Sequence, residues 1–117
     1  MNITDCQKYT VNQLNKVGVI MKKVLVLGVG AQGSTIARRL NENPNVSELI
    51  CADYDQKAAE EVGKTLNKAT AMQLDASQLE KVLKVAEGCD LIVNGLPLEY
   101  NMIVMEAALT VNASYFD

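Results

Sequence analysis

Histidine is absent from the 117 residues. That removes the commonest general base and the commonest metal ligand. Any chemistry must therefore come from carboxylates, lysines, tyrosines or a bound cofactor. The three cysteines, Cys6, Cys51 and Cys89, are an odd number without metal-ligand spacing, so no metal site is expected. Cys51 and Cys89 sit in apolar runs that read as strands, where buried free thiols are the expectation. A clustered basic excess is also missing, and the net charge is −3, which argues against a nucleic-acid partner. No run of about 18 apolar residues could cross a membrane. The N-terminus lacks the charged start and apolar stretch of a signal peptide. A cytoplasmic chain is expected, with a small soluble ligand or another protein as its partner.

Hydrophobic residues make up 49% of the chain, enough for one globular domain with a modest core. Residues 1–21 read as an N-terminal extension: they are polar, with weakly spaced Val11, Leu14 and Val17. Either an appendage ahead of a start at Met21 or a short helix packed on the domain fits that pattern.

Residues 22–117 alternate regularly. The apolar run Val24 to Leu27 predicts a strand buried on both faces. A helix is predicted from about Gln32 to Asn43, with Ile36, Ala37 and Leu40 on one face and Pro44 beyond its end. Leu49 to Ala52 predicts a second strand, and Asp55 can cap a helix carrying Ala58, Ala59, Val62 and Leu66 on one face. Ala71 to Leu74 is a weaker third strand. Ser77 and Glu80 match a capping box opening a helix with Leu79, Val82, Leu83 and Ala86 inward, and Gly88 supplies its stop. Leu91 to Val93 predicts a fourth strand, Asn101 to Val111 a fourth helix and Ser114 to Phe116 a fifth strand. Strands alternating with helices in this way predict an α/β fold: a doubly wound, Rossmann-like parallel sheet of about five strands.

Gly28-Val29-Gly30-Ala31-Gln32-Gly33 fits G-x-G-x-x-G between the first strand and the first helix, and Asp53 ends the next strand. Alone the spacing is weak, but in that context it is the dinucleotide-binding fingerprint. Gly28 permits the tight turn, Gly30 leaves room for a pyrophosphate against the backbone, and Gly33 lets the helix lie close to the sheet. The amides at Ala31, Gln32 and Gly33 face the phosphates at the positive end of the helix. Asp53 can accept hydrogen bonds from the adenosine ribose. Its charge, followed by Tyr54 and not by arginine, favours NAD over NADP; the fingerprint is shared with FAD enzymes. Asp75 either approaches the adenine or caps the third helix. Asn94, Gly95, Leu96 and Pro97 follow the fourth strand, at the edge where such sheets bind ligands, and can support the nicotinamide half. Glu99 and Asp117 are rim carboxylates of a kind common on surfaces, and no catalytic residue emerges.

With those residues placed, the chain resembles the nucleotide-binding domain of the saccharopine dehydrogenase family. The resemblance rests on VLVLGVGAQGSTIARRL, ICADYD, MQLDAS, CDLIVNGLPLEYN and ASYFD, and covers about residues 22–117. It implies an NAD(P)-dependent oxidoreductase passing hydride between the nicotinamide and a C–N bond of an amino acid of the lysine or saccharopine type. It further implies nucleotide contacts at Gly28, Gly30, Gly33, Asp53 and the loop Asn94 to Pro97. Family enzymes continue into a separate substrate domain, so the expectation is the cofactor domain of a longer chain, not catalytically competent alone. Exposed apolar surface and an unfinished sheet edge then predict self-association, as a homo-oligomer, or poor solubility. The competing expectation is a stand-alone nucleotide sensor similar to regulators of potassium transport.

Overall fold

A computed structural model describes residues 22–117; the extension at 1–21, with Cys6, lies outside the described residues. Five strands form one parallel sheet: β1 (Lys22–Leu27), β2 (Val46–Asp53), β3 (Ala69–Gln73), β4 (Leu91–Asn94) and β5 (Ser114–Phe116). Four helices join them: α1 (Ala31–Glu42), α2 (Gln56–Gly63), α3 (Leu79–Ala86) and α4 (Asn101–Thr110), with a 3-10 turn at Leu98–Tyr100 ahead of the last. The spatial order is β3-β2-β1-β4-β5. The strand order therefore reverses between β1 and β4, and the carboxyl ends of those two strands open a crevice suited to a ligand.

Alternation along the strands sorts the core into two layers. Leu25, Leu27, Ile50, Ala52 and Ile92 face α3 and α4, packing on Val82, Ala86, Val104 and Ala107. Val24, Val26, Leu49, Cys51 and Val93 face the other side with Ala37, Ile36, Leu40, Ala58 and Val62 of α1 and α2. Burial on both faces explains why β1 reads as an unbroken apolar run. Asp55 caps α2 as predicted, accepting from the amides of Lys57 and Ala58. Gly88, at φ +82°, takes the left-handed turn that stops α3.

Several expectations need correction. β2 begins three residues earlier than predicted, at Val46. The capping box does not form: α3 starts at Leu79, after Gln78, with no side-chain cap. The Ser77 hydroxyl instead donates to Asp75 Oδ1 at 2.6 Å, and the Ser77 amide donates to the same oxygen at 3.0 Å. Asp75 thus closes a local turn and does not cap α3. Cys89 lies in the turn before β4, not within it, although it and Cys51 are buried free thiols as expected. Burial pushes both thiols above their ordinary pKa, most simply for Cys51.

Helix α4 is apolar on both sides. Val104, Ala107 and Ala108 are buried, while Leu98 before it and Met102, Met105 and Leu109 along it are exposed, as is Phe116 on the edge strand β5. The predicted exposed apolar surface is therefore present. No helix among the described residues is long and apolar enough to cross a membrane.

Candidate dinucleotide-binding site

The site is built at the carboxyl ends of β1, β2 and β4. Leaving β1, Gly28 takes φ +83°, a conformation costly for any residue with a Cβ. A Cβ here would also meet Leu96 Cδ2 at 2.9 Å and the Gly95 carbonyl at 3.0 Å. At Gly33 a Cβ would run into the Gly28 carbonyl oxygen, so the close approach of α1 to the turn demands glycine. Gly95 completes the contact: its Cβ would stand 2.8 Å from Gly28 O and 3.4 Å from Gly33 Cα.

Gly30 differs from these three. Its φ is −68°, open to any residue, and a Cβ there would meet nothing among the described residues within 4 Å. Packing among the described residues gives no reason for glycine at this position. The space above it lies at the start of α1, which has no side-chain cap and no acidic residue in its first turn. The first intrahelical bond to Gly30 O comes from Ser34 N at 2.9 Å, so the preceding amides at Ala31, Gln32 and Gly33 lack intrahelical partners. Uncapped amides and the positive end of the helix dipole suit an anion, and the space over Gly30 is open.

Asp53 is fixed against this turn. Its Oδ2 accepts from the Val29 amide at 2.9 Å and its Oδ1 from the Asp55 amide at 2.9 Å. Each carboxylate oxygen retains a further lone-pair site for a hydroxyl. Next to it, Tyr54 is 70% exposed. Tyr54, Leu74, Asp75, Ala76, Leu96 and Pro97 contribute to the walls of a hollow of about 210 Å³. Of the two expectations for Asp75, the cap is not formed, and the residue lines this hollow. Hydrogen bonds from the Ser77 hydroxyl and then the Ser77 amide hold its carboxyl below the usual pKa.

Asn94, which ends β4 and does not follow it as the sequence suggested, is the hub of a polar ring that sequence reasoning missed as a unit. Asn94 is buried; its Nδ2 donates to Asn101 Oδ1 at 2.9 Å and to Tyr115 Oη at 3.0 Å. Its Oδ1 accepts from the Leu96 amide at 3.0 Å, which fixes the turn through Gly95. Tyr115 Oη donates to Asp117 Oδ2 at 2.9 Å, and Asn101 Nδ2 donates to the same oxygen at 3.3 Å. Burial raises the Tyr115 pKa above the usual tyrosine value, and the bond to Asp117 pushes the same way. The structure thus gathers every predicted site residue along one edge of the sheet. No group of three or more His, Cys, Asp or Glu side chains among the described residues could hold a metal ion.

Residues 24–117 match the family described as saccharopine dehydrogenase NADP binding domain. A carboxyaminopropylagmatine dehydrogenase from Synechocystis sp. is 26% identical over 102 residues, 83% of this chain and 25% of that protein. Among solved structures, the saccharopine dehydrogenase (L-Glu forming) of Saccharomyces cerevisiae superposes with a TM-score of 0.71 at 22% identity, covering 80% of this chain and 21% of that one. The uronate dehydrogenase of Agrobacterium tumefaciens gives 0.58 at 24% identity, covering 79% and 38%. At these identities the solved structures establish the fold alone. The chain spans about a quarter of the length of the carboxyaminopropylagmatine and saccharopine dehydrogenases it matches.

Proposed function

The chain belongs to the saccharopine dehydrogenase NADP-binding domain family, and from that premise we propose that it binds NAD as the cofactor domain of an oxidoreductase acting at a C–N bond. The observation that carries the proposal is Gly30: a glycine that packing among the described residues does not require, at the start of a helix whose uncapped amides suit a pyrophosphate. The adenosine ribose lies against Asp53, and the adenine enters the hollow beside Tyr54, Asp75 and Ala76. The cofactor, when bound, supplies the hydride chemistry. This chain's residues hold its phosphates, orient its riboses and set the crevice in which its reactive ring lies. The substrate is an amino-acid-derived amine or imine, taken up by parts of the protein beyond these residues.

NAD is favoured over NADP because the Asp53 carboxylate is fixed by two backbone amides and cannot swing aside easily from a 2′-phosphate. The family description names NADP, so the preference rests on Asp53 in this chain. A fluorescence titration with NADH and NADPH tests it. The expected result is NADH tighter by about tenfold or more, a difference of roughly 1.4 kcal/mol, with Asp53→Ala weakening NADH and narrowing the gap. Tighter binding of NADPH to the wild-type chain would overturn the preference, and no saturable binding of either would overturn the cofactor assignment.

A further inference from the structure

Asp53 ends β2 and Asp117 directly follows β5. β2 is the outer neighbour of β1, and β5 is the outer neighbour of β4, so the two acids stand symmetrically about the point where the sheet reverses. Register places them almost level. Leu27 pairs with Ala52 on one side and with Asn94 on the other, and Val93 pairs with Phe116. Three inter-strand steps of about 4.8 Å separate the strands, roughly 14 Å in all. A dinucleotide lying across the crevice extends in that direction, one half over each side of the switch point.

Both carboxylates are held from behind. Asp53 is gripped by two backbone amides. Asp117 is gripped on Oδ2 by the Tyr115 hydroxyl and the Asn101 amide, both anchored in turn by the buried Asn94. Its Oδ1 has no hydrogen-bond partner among the described residues. An exposed carboxylate contributes little to stability by being held this way. The ring's buried member, Asn94, has its amide donors and its oxygen engaged by Asn101, Tyr115 and Leu96 without Asp117. What the arrangement achieves is a carboxylate of fixed direction at the ligand edge.

We propose that Asp117, positioned by Tyr115 and Asn101, binds the ribose hydroxyls of the nicotinamide half of the dinucleotide, as the counterpart of Asp53 on the adenosine half. The inference rests on the dinucleotide assignment above. Tyr115 serves as a positioning residue: its hydroxyl donates to Asp117 at 2.9 Å while accepting from the buried Asn94 at 3.0 Å.

Calorimetric titration of the chain with ADP, ADP-ribose and NAD+ tests this, because ADP lacks the second ribose and the other two carry it. For Asp117→Ala the expected result is a loss of about tenfold for NAD+ and for ADP-ribose, with ADP held within about twofold. Tyr115→Phe, which leaves the carboxylate but loosens its hold, is expected to show the same selectivity with a smaller loss. Asp53→Ala is expected to weaken all three probes. Equal losses across the three probes for Asp117→Ala, or no loss for NAD+, would overturn the proposal. A wild-type chain that binds ADP but not NAD+ or ADP-ribose any tighter would also overturn it. Failure of the wild type to bind any of the three would instead overturn the dinucleotide assignment, and this inference with it.

Discussion

After β1 the chain turns on glycines, and the tightness of that turn comes from backbone pressed on backbone: Gly28, Gly33 and Gly95 interlock with no space for a Cβ at any of them. After β4 the turn is held differently, by the Asn94 side chain, whose amide binds Asn101 and Tyr115 while its oxygen fixes the Leu96 amide. The first device excludes atoms and the second satisfies them. A steric device fails abruptly when a methyl group is added, since carbonyl oxygens in a packed turn have nowhere to move. A hydrogen-bonded device fails in proportion to the groups left unpaired. The two turns also touch, so a fault in either reaches the same crevice.

Three substitutions separate these behaviours. Gly33→Ala is expected to be the most damaging, costing about 3 kcal/mol, because its Cβ collides with the Gly28 carbonyl and α1 must lift from the sheet. The midpoint of urea unfolding measures it, and an unchanged midpoint would mean that the turn yields more easily than its contacts indicate. Asn94→Ala comes next, at about 2 kcal/mol, since it strands the Leu96 amide and the partners of a buried side chain. The same unfolding measurement checks it, and a cost equal to that of Gly33→Ala would erase the distinction between the two turns. Gly30→Ala sharpens the contrast from the other side. Stability is expected to change by less than about 0.5 kcal/mol, or to rise slightly, because φ is ordinary and the space is open. NADH affinity is nevertheless expected to fall more than about tenfold as the methyl group enters the phosphate cradle. A destabilised Gly30→Ala that binds NADH normally would show that this glycine serves the fold and not the ligand.

The sheet was legible because both of its faces are covered. Val24 to Leu27 is apolar throughout only because alternate residues meet helices on opposite sides, and that pattern needs no knowledge of distant partners. The cap at Asp55 was legible for a similar reason, since its contacts lie two and three residues ahead. Ser77 misled because a capping box presumes a free hydroxyl, while Asp75, two residues earlier, offers that hydroxyl a stronger, charged acceptor. The polar ring after β4 was harder still. Its members stand at 94, 101, 115 and 117, and they meet only once α4 has crossed over the sheet and β5 has paired with β4. A signal did exist: an asparagine closing the apolar strand Leu91–Asn94, and a tyrosine two residues before an aspartate at the end of the next strand. The sequence places Asn94 in the loop after the strand, whereas it is the last residue of β4, and its partners cannot be inferred from spacing alone.

The seating of Gly28 against Gly95 carries a consequence for the order of folding. Those residues lie 67 positions apart in the chain, and the amide of Gly95 reaches Leu27 O at 2.7 Å only when β4 lies alongside β1. A nascent chain that has completed β1, β2 and β3 already possesses the whole G-x-G-x-x-G fingerprint and its Asp53. It lacks the wall that shapes the first glycine's turn. Such a long-range closure is among the slower events open to a small domain, so competence to hold a nucleotide arrives with the fourth strand, well after the motif that announces it has been made.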